Sequence, residues 1–141
     1  MSILMKYGPP ITLDDASRVM AAAEAEARRH GWPMVIAIVS SSGHLVMLHA
    51  FDDAQHGSVT VAQGKAETAV NFRRPSKLFE DAVKEGGLGL RLLGMSNLLP
   101  LDGGLPLCRD GRVIGAIGVS GMQSVQDAQV AATGASVIND A

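Results

Sequence analysis

The sequence predicts a single α+β domain in which an antiparallel β-sheet is layered with α-helices. Three observations support this fold class. Hydrophobic residues make up 47% of the chain against 18% charged residues, two segments have the pattern of β-hairpins, and helical patterns flank them in the order α-β-β-α-α-β-β-α. This order lacks the strand–helix alternation of a parallel sheet. A chain of 141 residues can bury roughly 70% of its unfolded surface, so we expect one domain over residues 1–141.

The first predicted helix extends from Leu13 to His30. Thr12 has a side-chain oxygen that can accept a hydrogen bond from a free N–H group of the first turn. Asp14 and Asp15 stand where the helix dipole is positive. Gly31 follows the last helical position and is a typical stop signal.

Three more helical patterns follow along the chain. Alanine-rich spacing predicts a helix from Ser58 to Pro75, and shorter patterns predict helices from Ser76 to Glu85 and from Ser124 to Ile138. The segment from Leu88 to Pro100 has leucines and glycines but no sustained period. We interpret it as a partly packed loop.

The strands are predicted as two hairpins. Met34 to Val39 and Leu45 to Phe51 are apolar runs joined by a turn sequence, and both faces of the second strand are apolar. Leu105 to Cys108 and Arg112 to Ser120 are joined by Asp110-Gly111, a pair that favours a type I′ turn. We expect helices to cover both faces of the sheet.

Charge and cysteine content exclude several classes of protein. Twelve Lys and Arg against fourteen Asp and Glu give a formal charge of -2, which provides no basic excess for binding nucleic acid. The single cysteine, Cys108, forms neither an internal disulfide nor a cysteine zinc cluster. No apolar run approaches the roughly 18 residues that span a bilayer. The sequence therefore predicts a cytoplasmic protein without membrane contact.

The four histidines lack the spacing of a dedicated zinc site. His49 lies on a predicted strand, where it is either a structural residue or a soft ligand to iron or substrate. His56 lies in a loop that also carries Asp52 and Asp53, and it is our candidate metal ligand. The alternative interpretation of this loop is a solvated turn.

The candidate ligand-binding residues come from two parts of the chain. Two flank the apolar stripe of the second predicted helix, two follow near its end, and two are glycines that can turn backbone N–H groups toward an anion. They are Lys65, Thr68, Arg73, Ser76, Gly103 and Gly104. Solvated surface is the alternative for each side chain. A serine hydrolase is not supported, because Gly118 to Met122 lacks the last glycine of G-x-S-x-G.

Five segments together resemble the GlcG/HbpS-like family, which is related to the PduO carboxy-terminal domain. They are Val35 to Val39, Ser42-Gly43, Lys65 to Ala69, Gly103 to Leu107 and Asp110 to Gly121. The resemblance implies a profilin-like fold, with a five-stranded antiparallel sheet between helices, and assembly into homo-oligomers. It also implies a link to haem binding or degradation, and to catabolic operons in which such proteins are accessory components.

The chain departs from the family pattern at one point that matters for haem. Where an Arg-x-Asp-Gly-Ala run is expected, it has the sequence Ala50 to Ala54. Loss of that arginine leaves pairing with a haem propionate to Arg73 or Arg74. The resemblance further implies that a hydroxyl between Thr68 and Ser76 ligates iron, which would give weak, exchangeable binding.

Three functional hypotheses follow. The first is a small-molecule-binding protein whose cofactor is haem or a related tetrapyrrole. The second is a cofactor-independent enzyme acting on a small carboxylate or dicarbonyl compound, with Lys65 as anion binder or base and N–H groups near Gly103 and Gly104 stabilising an oxyanion. The third is a non-catalytic oligomeric module assembled through Leu13 to His30 and Val125 to Ile138. The first two require that the Lys65 segment and the glycine pair form a concave, cationic recess.

Overall fold

The computed structural model of the chain describes residues 5–139. It contains five strands, four α-helices and one 3₁₀ helix in this part of the chain. In chain order they are β1 Lys6–Tyr7, α1 Leu13–His30, β2 Val35–Ser40, β3 Leu45–Ala50, α2 Gly57–Phe72, α3 Lys77–Glu85, the 3₁₀ helix Gly87–Gly94, β4 Gly104–Arg109, β5 Arg112–Ser120 and α4 Ser124–Ala135. Within residues 5–139 no helix combines the length and the apolar character needed to cross a membrane.

Strand β5 is the centre of the sheet. It pairs antiparallel with β2, from Ser120 opposite Val35 to Gly115 opposite Ser40, and antiparallel with β4 along its other edge. Strand β3 pairs antiparallel with β2 at the outside of the sheet. The short β1 pairs parallel with the beginning of β5. The sheet is therefore mixed, and our expectation of a wholly antiparallel sheet is wrong at β1.

Helices cover the two faces of the sheet, as the sequence predicts. Alternate residues of β2 face opposite sides, so Ile36 and Ile38 pack with α1 and α4 while Val39 packs with α2. All six residues of β2 are buried. Strand β3 differs, because it has exposed or half-buried residues throughout and no strand on its outer edge. The expectation that both of its faces are covered is wrong.

The approach of α2 to the sheet is unusually close. A Cβ atom added at Gly118 of β5 would lie 2.1 Å from the carbonyl oxygen of Ala62 and 2.6 Å from the amide nitrogen of Ala66. No residue other than glycine has room at this position. The small side chains of α2 therefore set the spacing between helix and sheet.

The predicted ends of α1 and the predicted turn between β4 and β5 are confirmed. Thr12 Oγ1 accepts a hydrogen bond from Asp15 N at 3.1 Å, and Gly31 ends α1 with a φ of 70°. Asp110 and Gly111 have φ values of 54° and 73°, as a type I′ turn requires.

Other boundaries differ from the prediction. The expected loop contains the 3₁₀ helix, and α4 ends at Ala135 rather than Ile138. The cap of α4 is Gln123, which forms reciprocal bonds with Gln126, rather than Ser124.

Candidate functional site

Lys65 is buried between α2 and the sheet. Its side chain is 2% exposed, because the helix face that carries Ala62 and Ala66 is pressed against β5. The Nζ atom donates hydrogen bonds to the carbonyl oxygen of Val119 at 2.8 Å and to Asp127 Oδ2 at 2.9 Å. The ammonium group therefore joins α2 to the end of β5 and the beginning of α4.

Asp127 completes this buried ion pair from the first turn of α4. Its Oδ1 atom accepts a hydrogen bond from the backbone N–H of Met122 at 2.9 Å, while Oδ2 faces Lys65. Burial raises the pKa of Asp127 above its ordinary value, and the hydrogen bond and charge of Lys65 act in the opposite direction. Both carboxylate oxygens therefore have partners within the chain.

The glycine pair lies beside Lys65, as our hypothesis requires, but it leaves no open recess. A Cβ atom at Gly104 would lie 2.2 Å from the Lys65 carbonyl oxygen, and one at Gly103 would lie 2.9 Å from Nζ. Ser76 Oγ accepts from Gly104 N at 2.9 Å and donates to the carbonyl oxygen of Leu101 at 2.6 Å. The expectation of a concave, cationic recess here is wrong, because side chain and backbone fill it. Lys65 reaches a ligand as anion binder or base only if its buried pair breaks.

The hydroxyl group of Thr68 also forms hydrogen bonds within the chain. Its Oγ1 atom donates to the carbonyl oxygen of Gly64 at 2.7 Å and accepts from Leu99 N at 2.8 Å. The side chain is buried, so the hydroxyl fastens the chain around Leu99 to α2.

The two arginines that follow α2 point to separate surroundings. Arg73 Nη1 donates to the carbonyl oxygen of Met5 at 2.7 Å, and its guanidinium carbon lies 5.1 Å from the ring centre of Tyr7. The guanidinium carbon of Arg74 lies 5.8 Å from the ring centre of Phe79. Neither contact brings an arginine to the buried ion pair of Lys65.

His56 is exposed and precedes α2 directly. Among residues 5–139 no group of three or more His, Cys, Asp or Glu side chains could hold a metal ion. The role of His56 as a metal ligand stays a prediction.

A groove beside α1 and the edge strand β3 combines an open surface with polar and aromatic side chains, which the surroundings of Lys65 do not. It consists of two adjoining openings of about 500 and 390 Å³ that share Arg28, Phe51 and Asp52. We call it the His49 groove and define it by Arg28, Trp32, Leu48, His49, Phe51 and Asp52. It contains aromatic and apolar surface, a guanidinium group and an imidazole.

Contacts between α1 and β3 orient the polar groups of this groove. His49 Nδ1 lies 3.1 Å from Glu24 Oε2, and a carboxylate only accepts, which places the ring proton on Nδ1. The imidazole is 44% exposed, and Nε2 forms no hydrogen bond with residues 5–139. The guanidinium carbon of Arg28 lies 4.7 Å above the ring of Phe51. Carboxylate, imidazole and open Nε2 form the arrangement found around many metal-ligating histidines.

The sequence indicated only part of this groove. The sequence indicates His49 as either a structural residue or a soft ligand to iron or substrate, whereas Glu24 and Arg28 lie in the predicted helix from Leu13 to His30 without an assigned role. Their spacing of four residues places them on one face of α1. The sequence pattern does not show that this face lies beside His49.

Comparison with known proteins identifies the family. Residues 11–136 match the family described as "Haem degrading protein HbpS-like". The chain belongs to the HbpS-like family. It is similar to Protein GlcG of Escherichia coli (strain K12), with 39% identity over 105 residues that cover 74% of this chain and 77% of that protein.

Two solved structures of this family share the fold. A PduOC:Heme complex has a TM-score of 0.84 and 30% identity, covering 92% of this chain and 96% of the other. A double mutant of Streptomyces reticuli HbpS has a TM-score of 0.86 and 26% identity, covering 99% of this chain and 94% of the other. The predicted family and the α+β fold are confirmed.

The buried ion pair yields a stability prediction. The Lys65→Met variant leaves the Asp127 carboxylate buried without its partner, so the free energy of unfolding near neutral pH should fall by about 3–5 kcal/mol. Without the ammonium group the pKa of Asp127 rises further above its ordinary value. A raised folded-state pKa favours folding at low pH and loses this benefit as the pH rises through it. The deficit should therefore shrink as the pH falls from neutral toward the ordinary pKa of an aspartate, about 3.9.

Chemical denaturation at several pH values measures both effects. The matched control is Lys77→Met, which removes an exposed ion pair with Asp81 and should leave the free energy of unfolding almost unchanged, because solvent screens the two charges. A Lys65→Met deficit equal to that of the control, or one that does not depend on pH, would contradict the role assigned to the pair.

Proposed function

We propose that the protein binds haem, or a related tetrapyrrole, in the His49 groove. The observation that carries the proposal is the imidazole of His49, held through Nδ1 by Glu24, while Nε2 has no hydrogen-bond partner among residues 5–139. Imidazole is the usual protein ligand of haem iron, and a carboxylate on its other nitrogen raises its basicity. A bound haem would supply an iron centre at this place.

The surroundings of His49 suit the rest of the haem molecule. Trp32 and Phe51 offer aromatic contact for a flat ring system. Arg28, whose Nη2 lies 4.0 Å from Glu24 Oε2 and whose side chain is 68% exposed, offers a guanidinium group that can also pair with a propionate. This assignment replaces Arg73, which is bound to the backbone at Met5.

The relatives support haem as the ligand class. A structure of this fold that is 30% identical to the chain is titled as a PduOC:Heme complex, and the matching family is described as haem-degrading. The His49 groove is open and its imidazole is 44% exposed. We therefore infer weak, exchangeable binding rather than permanent retention of the cofactor.

Titration with haem, followed by the Soret band, tests the proposal. The parent chain should give a saturable shift, and His49→Ala should weaken binding by at least about tenfold, because it removes the nitrogen ligand. Glu24→Gln should weaken binding by a smaller factor. Emission from Trp32, the single tryptophan, should be quenched as haem binds.

The matched control is His44→Ala, which removes an exposed histidine from the β2–β3 turn and should leave haem affinity unchanged. His56→Ala tests the earlier candidate in the same titration. Unchanged affinity in His49→Ala would overturn the assignment, and a selective loss in His56→Ala would transfer the ligand role to that residue.

A second proposal concerns self-association. Neither α3 nor the 3₁₀ helix contains a buried residue. Their large apolar side chains, with the methionine that follows, form what we call the leucine surface: Leu78, Leu88, Leu90, Leu93 and Met95, each between 40% and 79% exposed. Because α3 packs against the 3₁₀ helix, these side chains lie on neighbouring elements, and exposed apolar surface is typical of subunit contacts. We infer a homo-oligomer that buries it.

The alanines of α1 and α4 are not available for the subunit contact that the sequence predicts. Ala16, Ala23 and Ala27 of α1, and Ala131 and Ala135 of α4, are buried in the chain's own core. These alanines hold the two helices together within one subunit. Exposed large apolar side chains are single on α1 and α4, at Leu13 and Val125, whereas α3 and the 3₁₀ helix together carry several, which favours these two elements as the contact.

Sedimentation analysis tests this proposal. The Leu93→Glu variant should shift the protein toward a smaller species, because it places a charge in the apolar contact. Val125→Glu changes a residue at the start of α4 that is 73% exposed, against 61% for Leu93, and serves as the matched control. Dissociation by Val125→Glu but not by Leu93→Glu would refute the leucine surface as the contact, as would a parent chain that is monomeric at working concentration.

A further inference from the structure

A second cleft lies on the outer side of α2, away from both Lys65 and the His49 groove. Its volume is about 370 Å³, within the range of small-molecule sites. One wall is the helix face that carries Thr60, Gln63, Gly64 and Glu67 at helical spacing. The other wall is the segment 96–99, which follows the 3₁₀ helix. We call it the α2 cleft.

The polar side chains of the α2 cleft have no hydrogen-bond partners among residues 5–139. Its lining has two hydroxyls, two carboxamides and one carboxylate, from Thr60, Ser96, Gln63, Asn97 and Glu67. None of these five side chains makes a hydrogen bond to another part of residues 5–139. Apolar contact comes from Val61, Leu98 and Leu99 in the same lining.

Charge in the cleft selects against anions. Among the described residues that line it there is no lysine, arginine or histidine, and Glu67 is the one ionisable side chain. A carboxylate or phosphate would meet repulsion and no cationic partner. Hydroxyl and carboxamide groups, which both donate and accept, match a ligand rich in hydroxyls.

The two walls of the cleft are held in place before any ligand arrives. Thr68 Oγ1 bonds to Leu99 N at 2.8 Å and to the carbonyl oxygen of Gly64 at 2.7 Å, so it links both walls from behind. A Cβ atom at Gly64 would lie 2.9 Å from Leu99 Cδ2, which shows how closely they approach. Leu98 is 7% exposed and anchors the segment. A preformed cleft loses less entropy on binding than a mobile one.

We propose that the α2 cleft is a binding site for a small, uncharged polyol. The hydroxyls and carboxamides hydrogen-bond its hydroxyl groups, Glu67 accepts from one of them, and the leucine side chains contact its carbon chain. This site is separate from the His49 groove and does not depend on haem binding.

A matched set of probes with one carbon skeleton tests the site: sorbitol, which is neutral, gluconate, which is anionic, and glucamine, which is cationic. Backbone amide shifts of the ¹⁵N-labelled full chain report where each one binds. Sorbitol should give saturable shifts centred on Gly64 and on residues 96–99. Gluconate should bind at least about tenfold more weakly, because its carboxylate comes close to Glu67.

Two variants test single side chains of the α2 cleft, and two further variants serve as controls. Thr60→Val keeps the side-chain shape, removes one hydroxyl and should weaken sorbitol binding by about 3- to 10-fold. Glu67→Gln should reduce the discrimination against gluconate. The matched control, Thr133→Val, removes a hydroxyl that bonds to its own helix at Gln129 and should leave sorbitol binding unchanged. His49→Ala should also leave it unchanged.

Several outcomes would overturn the proposal. The absence of saturable sorbitol shifts, shifts centred away from the α2 cleft, or gluconate binding as tight as sorbitol binding would each do so. Glucamine binding more than tenfold tighter than sorbitol would identify a cation site instead. Loss of haem binding in His49→Ala with intact sorbitol binding would support two independent sites.

Discussion

The close contact between α2 and β5 is the constraint on which the rest of the molecule depends. Glycine at position 118 and alanines at positions 62 and 66 allow backbone to approach backbone, so no large side chain separates helix and sheet. A lysine on the inner face of that helix has no path to solvent. Its charge is accommodated by the carbonyl oxygen of Val119 and the carboxylate of Asp127.

This constraint also decides where ligands can bind. Because the inner face of α2 is filled, the two candidate sites lie on its outer face and at the far edge of the sheet. The outer face carries polar side chains with no partner in the described chain, and edge strand β3 carries His49 beside α1. The two surfaces differ in charge and aromatic content. One suits a flat, acidic, aromatic ligand, and the other suits a neutral, hydroxyl-rich one.

Local signals in the sequence predicted the local structure well. The cap at Thr12, the stop at Gly31 and the Asp110-Gly111 turn all act within a few residues, so their physical basis is visible in the sequence. The two-residue strand Lys6–Tyr7 carries no periodic signal and was missed. The proximity of Lys65 to the glycine pair is a requirement of the ligand-binding hypotheses, and the structure contains it. The sequence does not show that the recess between them is closed, because the closure depends on a carboxylate 62 positions further along the chain.

The account rests on Lys65 being a buried ammonium group held between α2 and α4. NMR detection of the lysine side-chain ammonium protons tests this directly. We expect one lysine signal that exchanges slowly with water and shows nuclear Overhauser contacts to the α-protons of Gly103, since Nζ lies against that residue. Rapid exchange of every lysine ammonium group, without such contacts, would contradict the buried pair and reopen the recess beside Gly104.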